Sequence, residues 1–148
     1  MKVFTYGTLM QGFRNHRVMQ EAQGKLIGKA ILSNKSIYFT NPGSFPAVID
    51  GKGNVYGEVW EISENKITTP YGESIYPIQI LDRLEGYNPK RPKENNMYNR
   101  QKAIVTMANG KKVWISYYHW NGEIVASLRI KSGDFAKEYQ HYHSRYQG

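Results

Sequence analysis

Short apolar runs interrupted by glycine predict a chain built mainly from β-strands. Residues 2–6 form a predicted strand that leads directly into Gly7. Apolar residues alternate with polar ones over Lys25–Phe39, which predicts two further strands. Val48–Ile49 and Val55–Ile62 continue the β pattern, and the glycines between these two runs predict a turn there.

Residues 98–120 predict a β-hairpin centred on Asn109 and Gly110. The β-rich runs Tyr98–Ala108 and Lys111–Trp120 flank this dipeptide. A type I′ turn requires positive φ at both central residues, and Asn-Gly is the pair that adopts it most readily. The two runs are therefore expected to pair as antiparallel strands.

Helices are predicted at three places along the chain. Asn15 begins a short helix that ends at Gly24, and Pro77 begins a second one that ends at Gly86. The segment Asp134–Tyr146 has the pattern of an amphipathic terminal helix.

Together these elements predict the α+β class. Strands precede, surround and follow a few helices, so we expect a small, mainly antiparallel, barrel-like sheet. The length of 148 residues suits one domain, and no internal repeat or linker divides residues 1–148. Residues 88–97, rich in Pro, Lys and Asn, are predicted to form an exposed loop.

Glu85 lies on the apolar side of the predicted second helix. At about 100° per residue, Ile78, Leu81 and Leu84 form an apolar arc that also contains position 85. A carboxylate on an apolar face is costly unless it is paired or used in chemistry, and a helix C-terminus disfavours negative charge. Both effects raise the pKa of Glu85 toward the range of a general acid/base near neutral pH. The structural alternatives are a helix that ends one turn earlier, or a pairing of Glu85 with a nearby cation.

The loop after the first strand is the second candidate site. Its sequence Tyr6-Gly7-Thr8-Leu9 is followed by Gly12, so the backbone is permissive at two positions. Consecutive backbone N–H groups in such a loop can form a nest that binds a carboxylate or an oxyanion. The alternative is a tight turn that binds nothing.

Composition and charge narrow the possible chemistry. The chain has no cysteine, which excludes a disulfide scaffold, a thiolate metal site and a cysteine nucleophile. His141 and His143 are two residues apart on a predicted helix, on different faces, so no metal site is predicted. The N-terminus lacks an apolar signal segment and no apolar run approaches the ~18 residues of a membrane span, so we expect a cytoplasmic protein without membrane contact.

A formal net charge of +8 allows either nucleic-acid contact or the steering of an anionic small substrate. The basic residues are spread along the chain, and their densest cluster is only Lys90, Arg91 and Lys93. This distribution favours a solvated basic surface, so a nucleic-acid partner is not the main expectation.

Four stretches of the chain resemble the γ-glutamylcyclotransferase and γ-glutamylamine cyclotransferase family, in the family's order. They are VFTYGTLMQG with RNHRVM, FPAVID with GNVYGEVWEI, LDRLEGY, and MYNRQKAIV with WISYYHW, and they span most of residues 3–120. None is decisive alone, but four in register are more specific than any single motif.

The resemblance implies a fold, a reaction and a set of residues. The fold is a small β-barrel-like α+β domain with one polar cavity. The reaction is an intramolecular cleavage of a γ-glutamyl amide to 5-oxoproline and a free amine or amino acid, with no metal or cofactor. By motif match, Glu85 is the general acid/base, and the backbone of Gly7, Thr8 and Leu9 holds the γ-glutamyl group.

Three further residues are expected at the substrate. Tyr6 and Tyr118 are candidate hydroxyl-bearing neighbours, with buried core tyrosines as the alternative. Arg100 is a candidate bidentate partner for the substrate α-carboxylate, with a structural strand arginine as the alternative. The loop 88–97 is longer than the usual family connection and the segment 65–75 is irregular, which leaves the leaving amine open.

Two other classes of function remain open at this level. One is a module on the same scaffold that binds a small carboxylate or amine without turnover. The other is a basic β-barrel whose exposed tyrosines stack on nucleic-acid bases. The expected assembly is a monomer or a homodimer that takes a small γ-glutamyl substrate.

Overall fold

The computed structural model describes the backbone of residues 1–147 and the side chains of residues 1–144. The described residues form seven strands: β1 (Lys2–Thr5), β2 (Lys25–Phe39), β3 (Pro46–Glu61), β4 (Ile67–Thr68), β5 (Ser74–Ile75), β6 (Tyr98–Met107) and β7 (Lys112–Trp120). The α-helices are α1 (His16–Glu21), α2 (Pro77–Leu84) and α3 (Phe135–Gln147). None of the helices in this described part of the chain has the length and apolar character needed to cross a bilayer.

Five strands close into a barrel in the order β1-β3-β2-β6-β7. Every neighbouring pair is antiparallel except β1 and β7, which close the barrel in parallel through Val3 and Ser116. Two of the joins are short, because β1 meets β7 at one residue pair and β2 meets β6 at two. The predicted α+β class and mainly antiparallel, barrel-like sheet are confirmed.

Apolar side chains pack in two clusters, one on each side of the barrel wall. Phe4 and Tyr117 belong to the first cluster, which draws on all five barrel strands and on α3. Val3 and Tyr118 belong to the second, which joins the barrel to α1 and α2. Since successive strand residues point to opposite faces, the first cluster fills the barrel and the second seats the helices against it.

The predicted division of the second and third strand regions is wrong. β2 is one strand of 15 residues and β3 is one strand of 16 residues. The glycines at 51 and 53 do not make a turn between two strands. They lie in a bulge where residues 51–53 stand opposite Asn34 alone, between the pairs Ser33–Asn54 and Lys35–Asp50.

The chain instead reverses at residues 40–45, which join β2 to β3. The backbone N–H and the hydroxyl of Thr40 both donate to the carbonyl of Phe45 across this turn. A β-bulge bends a strand while both flanking segments stay paired. The glycines at 51 and 53 therefore predicted a chain reversal, but in the structure they lie where one continuous strand bends.

Most other local predictions are confirmed. β6 and β7 form the hairpin around Asn109 and Gly110, with Thr106 paired to Lys112. The predicted type I′ turn is wrong, because Gly110 has φ +86° but Asn109 does not have positive φ. α2 begins at Pro77, and Gly86 follows it with φ +63°, the left-handed conformation of a helix stop. Residues 88–97 are exposed apart from Asn96, whose side chain bonds to several groups of that loop.

Candidate active site

A cavity of about 630 Å³ lies where the loop after β1, the C-terminal end of α2 and helix α3 meet. Seven residues were predicted for the site, and six of them line this cavity: Tyr6, Gly7, Thr8, Leu9, Glu85 and Tyr118. The seventh, Arg100, is not among the lining residues. Positions far apart in the chain thus meet at one cavity.

Glu85 is the residue that caps the C-terminal end of α2, and its side chain faces the cavity. It keeps partial solvent access through the cavity, but the surrounding protein desolvates its carboxyl group. Desolvation and the neighbouring Asp82 carboxylate together raise the pKa of Glu85 to about 8. Within residues 1–144 no group donates a hydrogen bond to this carboxyl, so nothing offsets the two effects.

The loop after β1 lines the same cavity and carries unpaired amides. Among the described residues, the N–H groups of Gly7, Thr8 and Leu9 donate to no protein acceptor. The carbonyls of these residues are used: Gly7 O accepts from Met10 N at 3.0 Å, and Thr8 O accepts from Asn15 N at 3.0 Å. His16 Nδ1 lies 3.3 Å from Leu9 O. The loop therefore turns its acceptors toward protein and leaves its donors free.

Two contacts fix the conformation of this loop. Asn15 Nδ2 donates to Thr8 Oγ1 at 2.9 Å, so Asn15 braces the loop instead of making a side-chain hydrogen bond to the start of α1. Gly7 lies against the ring of Pro46 so closely that a Cβ at position 7 would stand 2.6 Å from Pro46 Cγ. Only glycine fits this contact without displacement.

The tyrosine hydroxyls around the cavity donate to protein groups. Tyr6 Oη donates to the carbonyl of Tyr118 at 2.5 Å, and Tyr98 Oη donates to the carbonyl of Pro46 at 2.6 Å. Burial raises the pKa of both phenols. Tyr98 was not predicted as a site residue. These hydroxyls link the loop after β1 to β7 and link β6 to β3, and each can offer a ligand only its remaining lone pairs.

A buried carboxylate, Asp82, stands behind the cavity. Tyr118 Oη donates to Asp82 Oδ1 at 2.7 Å, and Arg100 Nε lies 3.1 Å from the same oxygen in an ion pair. The Arg100 guanidinium also lies over the ring of Tyr87, 5.3 Å from its centre. Arg100 is therefore engaged with Asp82, and Tyr118 connects this pair to the cavity. Desolvation raises the pKa of Asp82, while Tyr118 and Arg100 act in the opposite direction.

Sequence reasoning missed Asp82, although a signal for it was present. Asp82 and Glu85 are three residues apart on one helix, a spacing that brings side chains together on a helix surface. Within the described residues, no group of three or more His, Asp or Glu side chains is arranged to hold a metal ion. The arrangement that the cavity does offer is one desolvated acid and a set of free backbone donors.

Comparison with known proteins gives a consistent relationship over nearly the whole chain. The sequence model of the family described as "Gamma-glutamyl cyclotransferase, AIG2-like" matches residues 3–137. A protein of Methanocaldococcus jannaschii that carries the name "Putative gamma-glutamylcyclotransferase" is 28% identical over 142 residues, which cover 93% of this chain and 97% of that protein.

Solved structures share the fold at lower identity. An AIG2-like protein from Mus musculus superposes with a TM-score of 0.68 at 21% identity, covering 90% of this chain and 86% of that one. An uncharacterised protein from Pyrococcus horikoshii superposes with a TM-score of 0.62 at 20% identity, covering 99% and 98%. With the family match over residues 3–137, these findings show that the chain belongs to the gamma-glutamyl cyclotransferase, AIG2-like family.

Proposed function

We propose that this protein cleaves γ-glutamyl amides by intramolecular cyclisation, releasing 5-oxoproline and a free amine. The observation that carries the proposal is the meeting, in one cavity, of a desolvated carboxyl group and unpaired backbone amides. Family membership supports the reaction type. The nucleophile is part of the substrate, so the reaction needs no cysteine or serine from the protein and no cofactor.

Glu85 is the proton carrier in this proposal. Its ionised form accepts a proton from the substrate α-ammonium, and the freed amine nitrogen attacks the γ-carbonyl carbon. As the ring closes and the original amide C–N bond breaks, Glu85 returns that proton to the leaving nitrogen. The attacking nitrogen loses a second proton when it becomes the ring amide, and this proton passes through the newly ionised Glu85 to the departing amine, which leaves as an ammonium ion. A pKa of about 8 lies between those of an ordinary carboxylic acid and an ammonium group, which suits a group that must both take and give a proton.

The loop after β1 supplies orientation and charge stabilisation. The free amides of Gly7, Thr8 and Leu9 hold the γ-glutamyl group and donate to the oxygen that becomes negative as the amine attacks. Because the loop is tied through its carbonyls and through Asn15, these donors need little rearrangement before reaction. Holding amine and carbonyl together supplies much of the rate gain in a ring closure.

Arg100 and Tyr118 act one step away from the substrate in this proposal. Arg100 pairs with Asp82 and does not line the cavity, so it is a positioning residue rather than a partner of the α-carboxylate. Tyr118 donates to Asp82 and also lines the cavity, which makes it the link between the two carboxyl groups. Tyr6 braces the loop by its bond to the Tyr118 carbonyl.

The test is a screen of γ-glutamyl amino acids and γ-glutamyl amines for release of 5-oxoproline. Wild-type protein is expected to turn over at least one of these compounds, and Glu85→Gln is expected to lower kcat by about a hundredfold or more, because general acid/base catalysis contributes that much. Glu73→Gln is the matched control, since Glu73 pairs with Arg83 on the exposed surface.

The same screen separates the enzyme from a binding module on this scaffold. If wild-type protein binds γ-glutamyl compounds but releases no 5-oxoproline, the protein is a binding module and does not catalyse the proposed reaction. Equal turnover by Glu85→Gln and wild type would remove Glu85 from the chemistry.

A further inference from the structure

Arg14 is a cation at the cavity for which the proposed reaction has no role. It lies in the segment between the loop after β1 and helix α1, and its side chain lines the cavity although it is largely exposed. Within the described part of the chain it forms no ion pair and no hydrogen bond. A guanidinium at a cavity without an acidic partner is available to an anionic ligand.

The charges around the cavity are one-sided. Among the lining residues that the structure describes, Arg14 and Glu85 are the only ones with Lys, Arg, Asp or Glu side chains. Because Glu85 has a pKa of about 8, most of its population is neutral at pH 7 before substrate binds. The cavity therefore favours anionic compounds, in the same sense as the formal net charge of +8.

We propose that Arg14 binds a carboxylate on the leaving part of the substrate, so that the protein prefers γ-glutamyl amino acids to γ-glutamyl derivatives of neutral or cationic amines. This inference rests on the proposed function. The head-group carboxylate has another set of donors, the free amides of the loop after β1. A cationic leaving amine would meet the Arg14 charge and find, among the described lining residues, no acid besides Glu85.

Other lining residues suit the side chain of a leaving amino acid. Phe13 packs edge-on against Tyr139 of α3 at 5.5 Å between ring centres, and both line the cavity. His143 of α3 lies with Nε2 3.1 Å from the Gly43 carbonyl, which joins α3 to the turn between β2 and β3. Apolar ring faces beside one guanidinium fit an amino acid with a free carboxylate and a variable side chain.

The test compares binding of γ-glutamylalanine with binding of its C-terminal amide, which lacks only the second carboxylate. Calorimetry on the Glu85→Gln protein avoids turnover during the titration. We expect about tenfold tighter binding of the acid, from one charge-assisted contact at an exposed site. Replacing Arg14 by Gln in that background is expected to remove the preference, and rising salt is expected to weaken it.

Arg17→Gln is the matched control, because Arg17 is exposed on α1 and does not line the cavity. Arg17→Gln changes the net charge by the same amount as Arg14→Gln, and it is expected to keep the tenfold preference for the acid over the amide. If Arg14→Gln weakens binding of the acid and the amide by the same factor, Arg14 binds the head group and the inference is overturned. Equal binding of the two compounds, or binding of neither, also overturns it.

Turnover by proteins that retain Glu85 separates this inference from the proposed function. Release of 5-oxoproline from both compounds with equal kcat/KM sinks the Arg14 inference alone. Absence of 5-oxoproline from every compound sinks the proposed reaction, and the calorimetric comparison still decides whether Arg14 selects a carboxylate. Arg14→Glu is expected to reverse the order, favouring a γ-glutamyl diamine over γ-glutamylalanine.

Discussion

The two carboxyl groups at the end of α2 differ in what surrounds them. Asp82 is 6% exposed and is held by Tyr118 and Arg100, whereas Glu85 reaches the cavity and receives no hydrogen bond from the described side chains. The pair of contacts favours the ionised form of Asp82, and its negative charge then disfavours ionisation of Glu85. The Asp82 charge therefore adds to desolvation in raising the pKa of Glu85, although Asp82 itself does not line the cavity.

The pH dependence of kcat/KM tests this relation. In the proposed reaction the ionised form of Glu85 accepts the substrate proton, so kcat/KM is expected to rise with pH with a midpoint near pH 8 and to level off above it. In Asp82→Asn the neighbouring charge is absent, the pKa of Glu85 falls, and the rise moves to lower pH. The measurement is kcat/KM between about pH 5 and 10, where this limb reports the free enzyme.

The control for that profile is Glu73→Gln, which removes an exposed carboxylate from the Arg83 pair. Its midpoint is expected to match wild type. A midpoint in Asp82→Asn that is unchanged, or that moves to higher pH, would show that Asp82 does not set the proton affinity of Glu85.

At this scale the sequence predicted a raised pKa for Glu85 but not the contacts of the neighbouring Asp82. Helical periodicity alone put Glu85 on an apolar face, because the period depends only on local geometry. Arg100 was expected at the substrate, yet its contact with Asp82 depends on how β6 packs against α2. Such contacts between distant segments are not visible in local patterns.

Among the elements, the loop after β1 shows how local backbone contacts build a binding surface. Its carbonyls are bonded to the residues that follow it, and Gly7 packs against Pro46 at the start of β3. The strand before it is fixed by pairing with β3 on one side and β7 on the other. The direction of the free amides is thus set by the barrel.

Gly7→Ala tests the importance of that contact. A Cβ at 2.6 Å from Pro46 Cγ must displace the loop or the proline ring. We expect kcat/KM to fall by about tenfold or more, since small misplacements of binding groups are costly in ring closure. Overpacking of this kind is also expected to lower the free energy of unfolding by about 1–3 kcal/mol, measured by urea denaturation.

A second substitution distinguishes crowding from other effects of the methyl group. Pro46→Ala removes the ring atoms that the new Cβ meets and keeps the carbonyl that accepts from Tyr98. Adding it to Gly7→Ala is expected to restore much of the lost kcat/KM. A double variant as impaired as the sum of the two single variants would contradict the crowding argument.

Element prediction succeeded where one local signal decides the conformation. Asn109-Gly110 predicted the position of the β6–β7 hairpin, though not its turn type, and Gly86 predicted the end of α2. It failed for β2 and β3, where the glycines at 51 and 53 occupy a bulge. Glycine permits both a reversal and a bulge, and the choice depends on pairing over the whole length of the two strands.

For the whole molecule, the barrel brings together residues from both ends of the chain. The cavity takes lining residues from the segment after β1, the end of α2, the strands β6 and β7, and α3. The class of fold follows from the alternation of short strands and few helices, and the four family-like stretches identify the family. The cavity's shape and the position of Arg14 in it depend on long-range packing, which one sequence does not reveal.

The central claim is that the substrate's own amine attacks its γ-carbonyl at Glu85 and the free amides of the loop after β1. The most direct measurement is mass spectrometry of the products formed from a γ-glutamyl amide in water enriched in the heavy oxygen isotope. Cyclisation predicts 5-oxoproline that contains no oxygen from solvent, in equal amount to the free amine, and a loss of both products in Glu85→Gln. Labelled glutamate would instead show hydrolysis by water and would contradict the account.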